Sequence, residues 1–548
     1  MSTIDVLEHF PYSAHAEARA TERLSGFGTP GETVAFSFSL RAADDIAELE
    51  VSTASLSSAL ATISSSQIDV YVVKVWDVSG IGIYQSARVQ RAELLLKDDR
   101  APLYDGYLEH PRQGAASTDP LWLYSAPHVR LTGDVRTSLS AGEQKQVWLS
   151  VKIPLGAPSA KYLGNVTIKT ARDEALQVPL ELEVLPFSLI KPVQDLMIWY
   201  RGSMDPSQAQ FYVSPEMFRI HLQDIYDHGF RSISVCERDR ATAQLAVDIA
   251  EEVGFDRHIV FRLVPINAEA LHFSKLKPVL YLSDELDTRM RDSDGLRESS
   301  IAEHRGHGAY CSILNWSSMA SISDHRFIER MADDQDVGYK PTIISLSLAG
   351  NREVFAGYNG ARVLGQCRTY YNWPSHMEKP NLHRVLAGCY LWKTGADGIS
   401  PYCYQHAPVF PFSPFDDFDA WEPGCHAGLL RDQMTTYPAR TGAIPTLQWE
   451  GLREGIIDLQ YLTTLENLLA PAESLGSRRA TEFAAEARRR RDGFLEQINI
   501  EDIAIEGCVE TEPYPHISPR EYQKFRRMLA SDIATLHATT HTSRPQVD

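Results

Sequence analysis

Two adjacent carboxylates, Asp284 and Glu285, close the apolar run Pro278-Val-Leu-Tyr-Leu-Ser283. A buried strand gains nothing in packing from ending in two acids, since each charge must be hydrated or paired. At the C-terminal end of a strand in an α/β barrel, such a pair lies where chemistry is done. A solvated loop start, or a helix N-terminus that favours acids, is the competing structural reading. Glycoside hydrolysis normally uses two carboxylates on either side of the scissile bond, and their separation distinguishes inverting from retaining chemistry. Neighbours at one strand end cannot easily flank a sugar. They suit a scheme in which the substrate's own 2-acetamido oxygen attacks the anomeric carbon. Glu285, with the longer reach, would protonate the leaving oxygen. Asp284 would orient the acetamido group and stabilise the positive charge on its nitrogen. A neighbouring carboxylate helps to raise the pKa of the acid, as that role requires. No acidic residue stands near the end of the seventh predicted strand, where many retaining barrel enzymes keep a nucleophile.

The elements that would position this pair follow from periodicity. Residues up to about 188 show short alternating runs with turn clusters between them, such as Thr33–Leu40, Ile68–Val75, Gln146–Ile153, Tyr162–Lys169 and Leu176–Val184. That rhythm predicts a β-sandwich. From Asp195 strand and helix alternate. Strands are predicted at 196–200, 231–235, 259–264, 278–283, 309–314, 342–348, 361–367 and 398–404, with helices at 214–228, 241–253, 382–394 and through 327–331. Eight strands with helices between them predict a (β/α)8 TIM-type barrel. Beyond Gly442, amphipathic helices at 452–469, 478–498 and 519–536 predict a helical appendage packed on the barrel. The expected organisation is therefore multidomain: a β-sandwich at 1–188, a catalytic barrel at 193–445 and a C-terminal helical region at 446–548.

Residues just past each barrel strand line one mouth. They are Trp199, Tyr200 and Arg201; Glu237 and Arg238; Asn267; Asp284 and Glu285; Asn315 and Trp316; Arg368, Tyr370, Tyr371, Asn372 and Trp373; and Tyr402, Tyr404, Gln405 and His406. Aromatic faces stack on the C–H faces of sugars while amides and charges bind hydroxyls. Any single aromatic here is more readily explained as core, so the collective enrichment carries the reading. Tyr371, Tyr370, Tyr402, Trp373, Trp199, Arg201, Asn315, Trp316 and Gln405 are the expected substrate-binding residues.

Composition narrows the partners. The chain has 548 residues, 43% hydrophobic and 23% charged, with a formal net charge of −19. That acidity argues against nucleic acid and anionic membrane surfaces, which need a basic face. No apolar stretch is long enough to span a bilayer. The first ten residues have no basic segment followed by an apolar run, which predicts a cytoplasmic location, or a secreted one if the chain was trimmed. The seven cysteines are scattered without a Cys-x-x-Cys, and Cys236, Cys311, Cys367 and Cys403 read as small buried hydrophobes. No metal-ligand spacing is present, no cofactor is expected, and Asp416, Asp417 and Asp419 read as an acidic loop. The expected partner is a carbohydrate, and a homo-oligomer is compatible with the sequence.

Three separated segments resemble one family. Trp148 to Ile168 is similar to the N-terminal sandwich of glycoside hydrolase family 123, and Asp284-Glu285 to its catalytic pair. Leu447-Gln-Trp-Glu-Gly-Leu-Arg453-Glu454-Gly455-Ile-Ile-Asp458-Leu-Gln-Tyr461-Leu462 resembles the Arg-Glu-Gly-x-x-Asp-x-x-Tyr-Leu signature of its C-terminal region. Trp392-Lys-Thr-Gly395-Ala-Asp-Gly398 and Tyr437-Pro438 fall in the same order. The resemblance implies a retaining N-acetyl-β-galactosaminidase using substrate assistance, with Glu285 as acid/base, Asp284 as orienter, and a tyrosine, from Tyr371, Tyr370 and Tyr402, binding the acetamido oxygen. Arg453, Glu454 and Asp458 read as structural. The chain departs from the family pattern at Leu286 (usually Pro), Gln448 (usually Arg) and Ser159-Ala160 (usually Gly). Two alternatives stand beside this reading: a glycosidase acting on a sugar without an acetamido group, and an inactive carbohydrate-binding or assembly protein.

Overall fold

Period-two alternation through Val184 becomes two β-sheets in the computed structural model, which describes residues 2–7, 19–20, 23–79, 88–103, 128–172, 174–208, 211–262, 270–283, 308–313, 343–347, 366–371, 379–405, 415, 434–475, 477–498 and 517–542. One sheet runs Arg19–Ala20, Ser2–Thr3, Thr33–Arg41, Gln144–Lys152, Ile68–Ser79, Arg88–Leu96. The other runs Val135–Leu139, Ile46–Thr53, Ala160–Thr170, Ala175–Val184, Leu24–Gly28, its last pair parallel. Alternate residues from both, among them Phe38, Val51, Val72, Leu149, Tyr162 and Leu182, share one core. Cys236, Cys389 and Cys403 are thiols rather than disulfides.

Eight parallel strands then close on themselves: Asp195–Ile198, Ser232–Val235, His258–Arg262, Lys277–Ser283, Gly308–Ile313, Ile343–Ser347, Gln366–Tyr371 and Gly398–Pro401. The first pairs with the eighth through Asp195 opposite Gly398 and Leu196 opposite Ile399. Helix α1, Pro215–Asp227, starts as expected: the Ser214 hydroxyl accepts from the Met217 amide at 3.1 Å, and Pro215 takes the first turn. Helix α2, Arg240–Val253, is capped by Asp239. The expected helix through 327–331 lies outside the described residues. Helix α3 is continuous through Pro380–Val385, a π-helical turn Leu386–Tyr390, and Leu391–Thr394.

The seventh strand corrects the sequence expectation. The apolar run 361–367 suggested it, but the strand is Gln366–Tyr371. In a closed ring its position is set by pairing with Ile343–Ser347 on one side and Gly398–Pro401 on the other. Those backbone ladders outweigh apolar content as a local signal. Tyr370 and Tyr371 therefore lie within the strand and not beyond it. The antiparallel hairpin Thr436–Ala439 with Gly442–Pro445 had no counterpart in the sequence reading.

Helix α4, Leu447–Ser474, begins five residues before the expected start, because Thr446 caps it, accepting from the Trp449 amide at 3.1 Å. Helices α5, Arg478–Leu495, and α6, Pro519–Thr542, pack beside it. Helix α4 is buried almost all round in its first half, so it is a core helix rather than a one-sided amphipathic one. Its polar residues are paired inside. Asp458 accepts from Arg384 Nε at 2.6 Å and from Arg526 Nε at 2.6 Å; Glu454 accepts from Arg526 Nη1 at 2.6 Å. This agrees with a structural role for Glu454 and Asp458.

Helices α3 and α4 cross at glycine. A Cβ on Gly451 would collide with the Pro380 carbonyl oxygen, and one on Gly388 would come within 2.7 Å of the Gly455 carbonyl oxygen. Gly to Ala in a free helix gains about 1 kcal/mol. Here Gly451→Ala is expected to destabilise, by roughly 1–3 kcal/mol, because the obstacle is backbone. An unchanged or raised urea midpoint would rule the close crossing out.

Side chains of the last third tie down the two-sheet region. Tyr461 donates to Glu32 at 2.9 Å, Gln448 to Glu93 at 2.6 Å, and Tyr437 to Glu93 at 3.1 Å. Burial lifts the Glu32 carboxyl from 4.5 to about 7, against the opposing pull of Arg526, the Thr29 amide and the Tyr461 hydroxyl. The folded chain thus keeps a proton that the unfolded chain releases first, so stability falls as pH rises from 4.5 through about 7. Glu32→Gln should remove that slope. At pH 8 the variant should exceed the wild type by about 2–3 kcal/mol, with the gap closing near pH 4. Parallel stability curves for the two proteins across that range would contradict the assignment.

Candidate active site

The floor of the candidate site is built by strand alternation. On the first strand and its extension, Leu196, Ile198 and Tyr200 face outward into the helical core. Met197 and Trp199 face inward and meet Val260, Val279, Tyr281, Tyr402 and Cys403 in a separate buried cluster. Trp199 lies 5.0 Å from Tyr281 and 6.5 Å from Tyr402 between ring centroids, tilted at 54° and 56°. Arg201 donates through Nη1 to the Tyr402 hydroxyl at 2.7 Å, and its guanidinium sits 4.2 Å from the Phe211 ring centre. Trp199 follows the end of strand one, Tyr402 follows the end of strand eight, and Tyr281 is two residues before the end of strand four. Since the strands are parallel, all three gather towards one mouth.

The structure brings Trp199, Arg201 and Tyr402 together, with the Trp199 ring buried beneath the other two. Tyr281 was missed, because it was counted as strand body; its alternate position with Val279 was the available signal. Asp284 and Glu285 are the next two residues after strand four and lie outside the described residues, as do Asn267, Asn315, Trp316, Asn372, Trp373 and His406. For Tyr370 and Tyr371 the structure gives backbone register: Tyr370 pairs with Ser400 and Tyr371 with Pro401.

Other rim candidates have structural work. Tyr200 is buried in the outer core with its hydroxyl 2.8 Å from His221 Nδ1. Tyr404 is also in the outer core and donates to Asp224 Oδ2 at 2.7 Å. Burial holds both phenols well above their usual range, and it lowers His221 to about 4. Glu237 is fully buried and braces the loop that follows strand one, accepting from the Ser203 hydroxyl at 3.1 Å and the Met204 amide at 2.7 Å. Its carboxyl is raised, chiefly by burial. Arg238 points to solvent. Gln405 is buried, and its amide donates to the Tyr437 carbonyl of the hairpin at 3.3 Å. Strand-end position alone does not decide which face a residue takes; alternation does.

Among the described residues no cluster of three or more His, Cys, Asp or Glu is placed to hold a metal. Nor is any described helix long and apolar enough to cross a membrane.

A solved structure shares this whole fold. It is that of a family 123 glycoside hydrolase from Clostridium perfringens, studied for glycolipid glycan hydrolysis. The superposition has a TM-score of 0.62 and covers 98% of this chain and 99% of that one at 10% sequence identity. At that identity the likeness is one of fold. A xyloglucanase of family 5 from Bacteroides ovatus aligns over 80% of this chain and 98% of its own at 9% identity, but with a TM-score of 0.27, too low to inform the comparison. No family model matches the chain, and no curated protein matches it in sequence.

Proposed function

We propose that this chain is a retaining exo-acting glycoside hydrolase of the β-N-acetylhexosaminidase type, working by participation of the substrate's 2-acetamido group. The observation that carries this reading is the position of strand four. It ends at Ser283, at the barrel end where Trp199, Tyr281 and Tyr402 cluster, and Asp284 and Glu285 are the next two residues in the sequence. The fold shared with a family 123 glycoside hydrolase along nearly the full length supports it.

In the proposed mechanism the barrel is a (β/α)8 unit spanning 193–445, flanked by a β-sandwich at 1–188 and a helical brace at 446–548. The sugar rests against Tyr402, the least buried ring of the cluster that Trp199 supports from beneath, and Arg201 orients the Tyr402 hydroxyl towards it. Asn315, Trp316 and Trp373 complete the pocket, while Gln405, bonded to the Tyr437 carbonyl, holds the hairpin behind it. Of the adjacent tyrosines, Tyr370 is the better candidate for the acetamido group, because its register partner Ser400 stands two residues before Tyr402, in phase with it. Asp284 orients the acetamido group, whose oxygen displaces the leaving group as Glu285 gives that group its proton. The resulting cyclic intermediate is opened by water that Glu285 deprotonates, with retention of configuration.

The test is hydrolysis of aryl β-glycosides of N-acetylgalactosamine, N-acetylglucosamine and galactose. Cleavage of the acetamido sugars alone is the expected result. Equal cleavage of the plain galactoside would refute acetamido participation, and no cleavage of any would refute this reading of the substrate.

A further inference from the structure

Outside the barrel wall, a cavity of about 290 Å³ lies on the seam between the two-sheet region and helices α1 and α4. The sheets contribute Asp69, Tyr71 and Ser150, and the helices contribute Asp224, Glu450 and Arg453. It is separate from the mouth: Tyr404, which forms part of its wall, belongs to the outer core and not to the inner aromatic cluster.

Its polar groups form a fixed chain. Tyr404 donates to Asp224, and Asp224 Oδ1 lies 3.1 Å from His228 Nδ1. His228 Nε2 lies 3.5 Å from Glu450, Glu450 pairs with Arg453, and Arg453 Nη2 donates to the Ser150 hydroxyl at 3.2 Å. His228 is further clamped by stacking on Trp449, 4.2 Å between ring centres. Burial alone would neutralise His228, but Asp224 and Glu450 hold it protonated, up to about 9.

The chain leaves hydrogen-bonding capacity unused. A carboxylate has about four acceptor sites and a guanidinium five donors, more than these contacts occupy. Arg453 is over nine-tenths buried, and its Nη2 serves both Glu450 and Ser150.

We infer that this cavity is a second saccharide site, taking the terminal sugar of a neutral glycan through its hydroxyl groups. Three observations select that chemistry. Carboxylates and cations alternate around the wall and are already paired, so neither an anion nor a cation gains a net opposite charge. Acceptors and donors stand side by side, which matches hydroxyls that both give and accept. The volume is near the lower bound of about 300 Å³ for small-molecule pockets, and an apolar ligand of that size would cut the wall's spare donor and acceptor positions off from water. Binding here is independent of the catalytic proposal, since it is read without turnover.

The test is a crystal structure of the protein soaked in galactose or N-acetylgalactosamine, together with calorimetric titration of the wild type and of Gln67→Trp. Gln67 lines the cavity from the short turn Ser65–Gln67 and makes none of the hydrogen bonds of the buried chain, so a tryptophan there occupies the cavity while leaving those bonds in place. The expected result is sugar density bonded to Arg453 and Glu450, and at least a tenfold loss of that binding event in Gln67→Trp with any binding at the mouth retained. Sugar confined to the mouth, ordered water alone in the cavity, inorganic phosphate displacing the sugar, or titrations identical in the two proteins would each overturn the inference. Absence of hydrolysis would count against the catalytic proposal and leave this one standing.

Discussion

Glu285→Gln is expected to lower turnover of an unactivated β-N-acetylhexosaminide by about 10²–10⁴-fold while leaving the denaturation midpoint where it was. Glutamine keeps the length and shape of the side chain and can still hold a hydrogen bond, but it has no proton to give the departing oxygen. A nitrophenyl leaving group departs without much help, so the loss on that substrate should be smaller. The contrast between the two leaving groups is the signature of a general acid. Asp284→Asn should behave differently, losing activity on both acetamido substrates to a similar degree, because its role is exerted on the internal nucleophile. Losses of Glu285→Gln that are equal for good and poor leaving groups would remove it from the acid role, and a wild-type rate would remove it from the mechanism.

Arg526→Met should cost about 3–5 kcal/mol of stability. Arg526 is nearly inaccessible to solvent and holds three acceptors: the Glu454 carboxylate at 2.6 Å, the Glu454 carbonyl at 2.7 Å and the Asp458 carboxylate at 2.6 Å. Burial by itself would raise the Asp458 carboxyl, but Arg384 and Arg526 together hold it below its usual range. Without Arg526, Asp458 keeps Arg384 at 2.6 Å, whereas Glu454 loses the guanidinium that neutralises it. The penalty arises from that stranded carboxylate and not from the strength of the bridge. The double variant Arg526→Met with Glu454→Gln should therefore recover much of the loss. Urea midpoints of the single and double variants measure this. A single-variant cost below about 1 kcal/mol, the range of exposed pairs, would mean that the cluster is hydrated.

Several parts of this architecture were legible in the sequence for physical reasons. Strand four was bounded by its apolar run and the abrupt acids that follow, and the structure ends it at Ser283. Ser214-Pro215 marked the start of α1 because a hydroxyl cap and a proline in the first turn leave little conformational choice. Trp199, Arg201 and Tyr402 were singled out by strand-end position; the inner cluster holds Trp199 and Tyr402 beside Tyr281, and Arg201 bonds to Tyr402. The seventh strand, by contrast, is Gln-Cys-Arg-Thr-Tyr-Tyr, a sequence with no apolar run of its own that is held by ladders on both sides. Tyr404 and Glu237 were taken for rim residues because a sequence window shows that a residue follows a strand but not which neighbour it meets. Nothing in the sequence around Arg526 marks it out; only the fold reveals that Glu454 and Asp458 lie opposite it.

The bonds between the two-sheet region and the last third of the chain also set a timetable for synthesis. Glu93 and Gln448 are 355 residues apart, and Glu32 and Tyr461 are 429 apart. At 5–20 residues per second, the ribosome needs roughly 20–70 s between making Glu93 and its amide donor, and longer for Glu32 and its phenol. Throughout that interval the sheet surface that will receive α4 faces water. Its carboxylates are hydrated, and its apolar neighbours are open to whatever else is nearby. The nascent sheets can form their own ladders early, but the face beside them is closed only when the final hundred or so residues emerge. A premature stop within that final stretch would therefore harm the oldest part of the molecule as well as the newest.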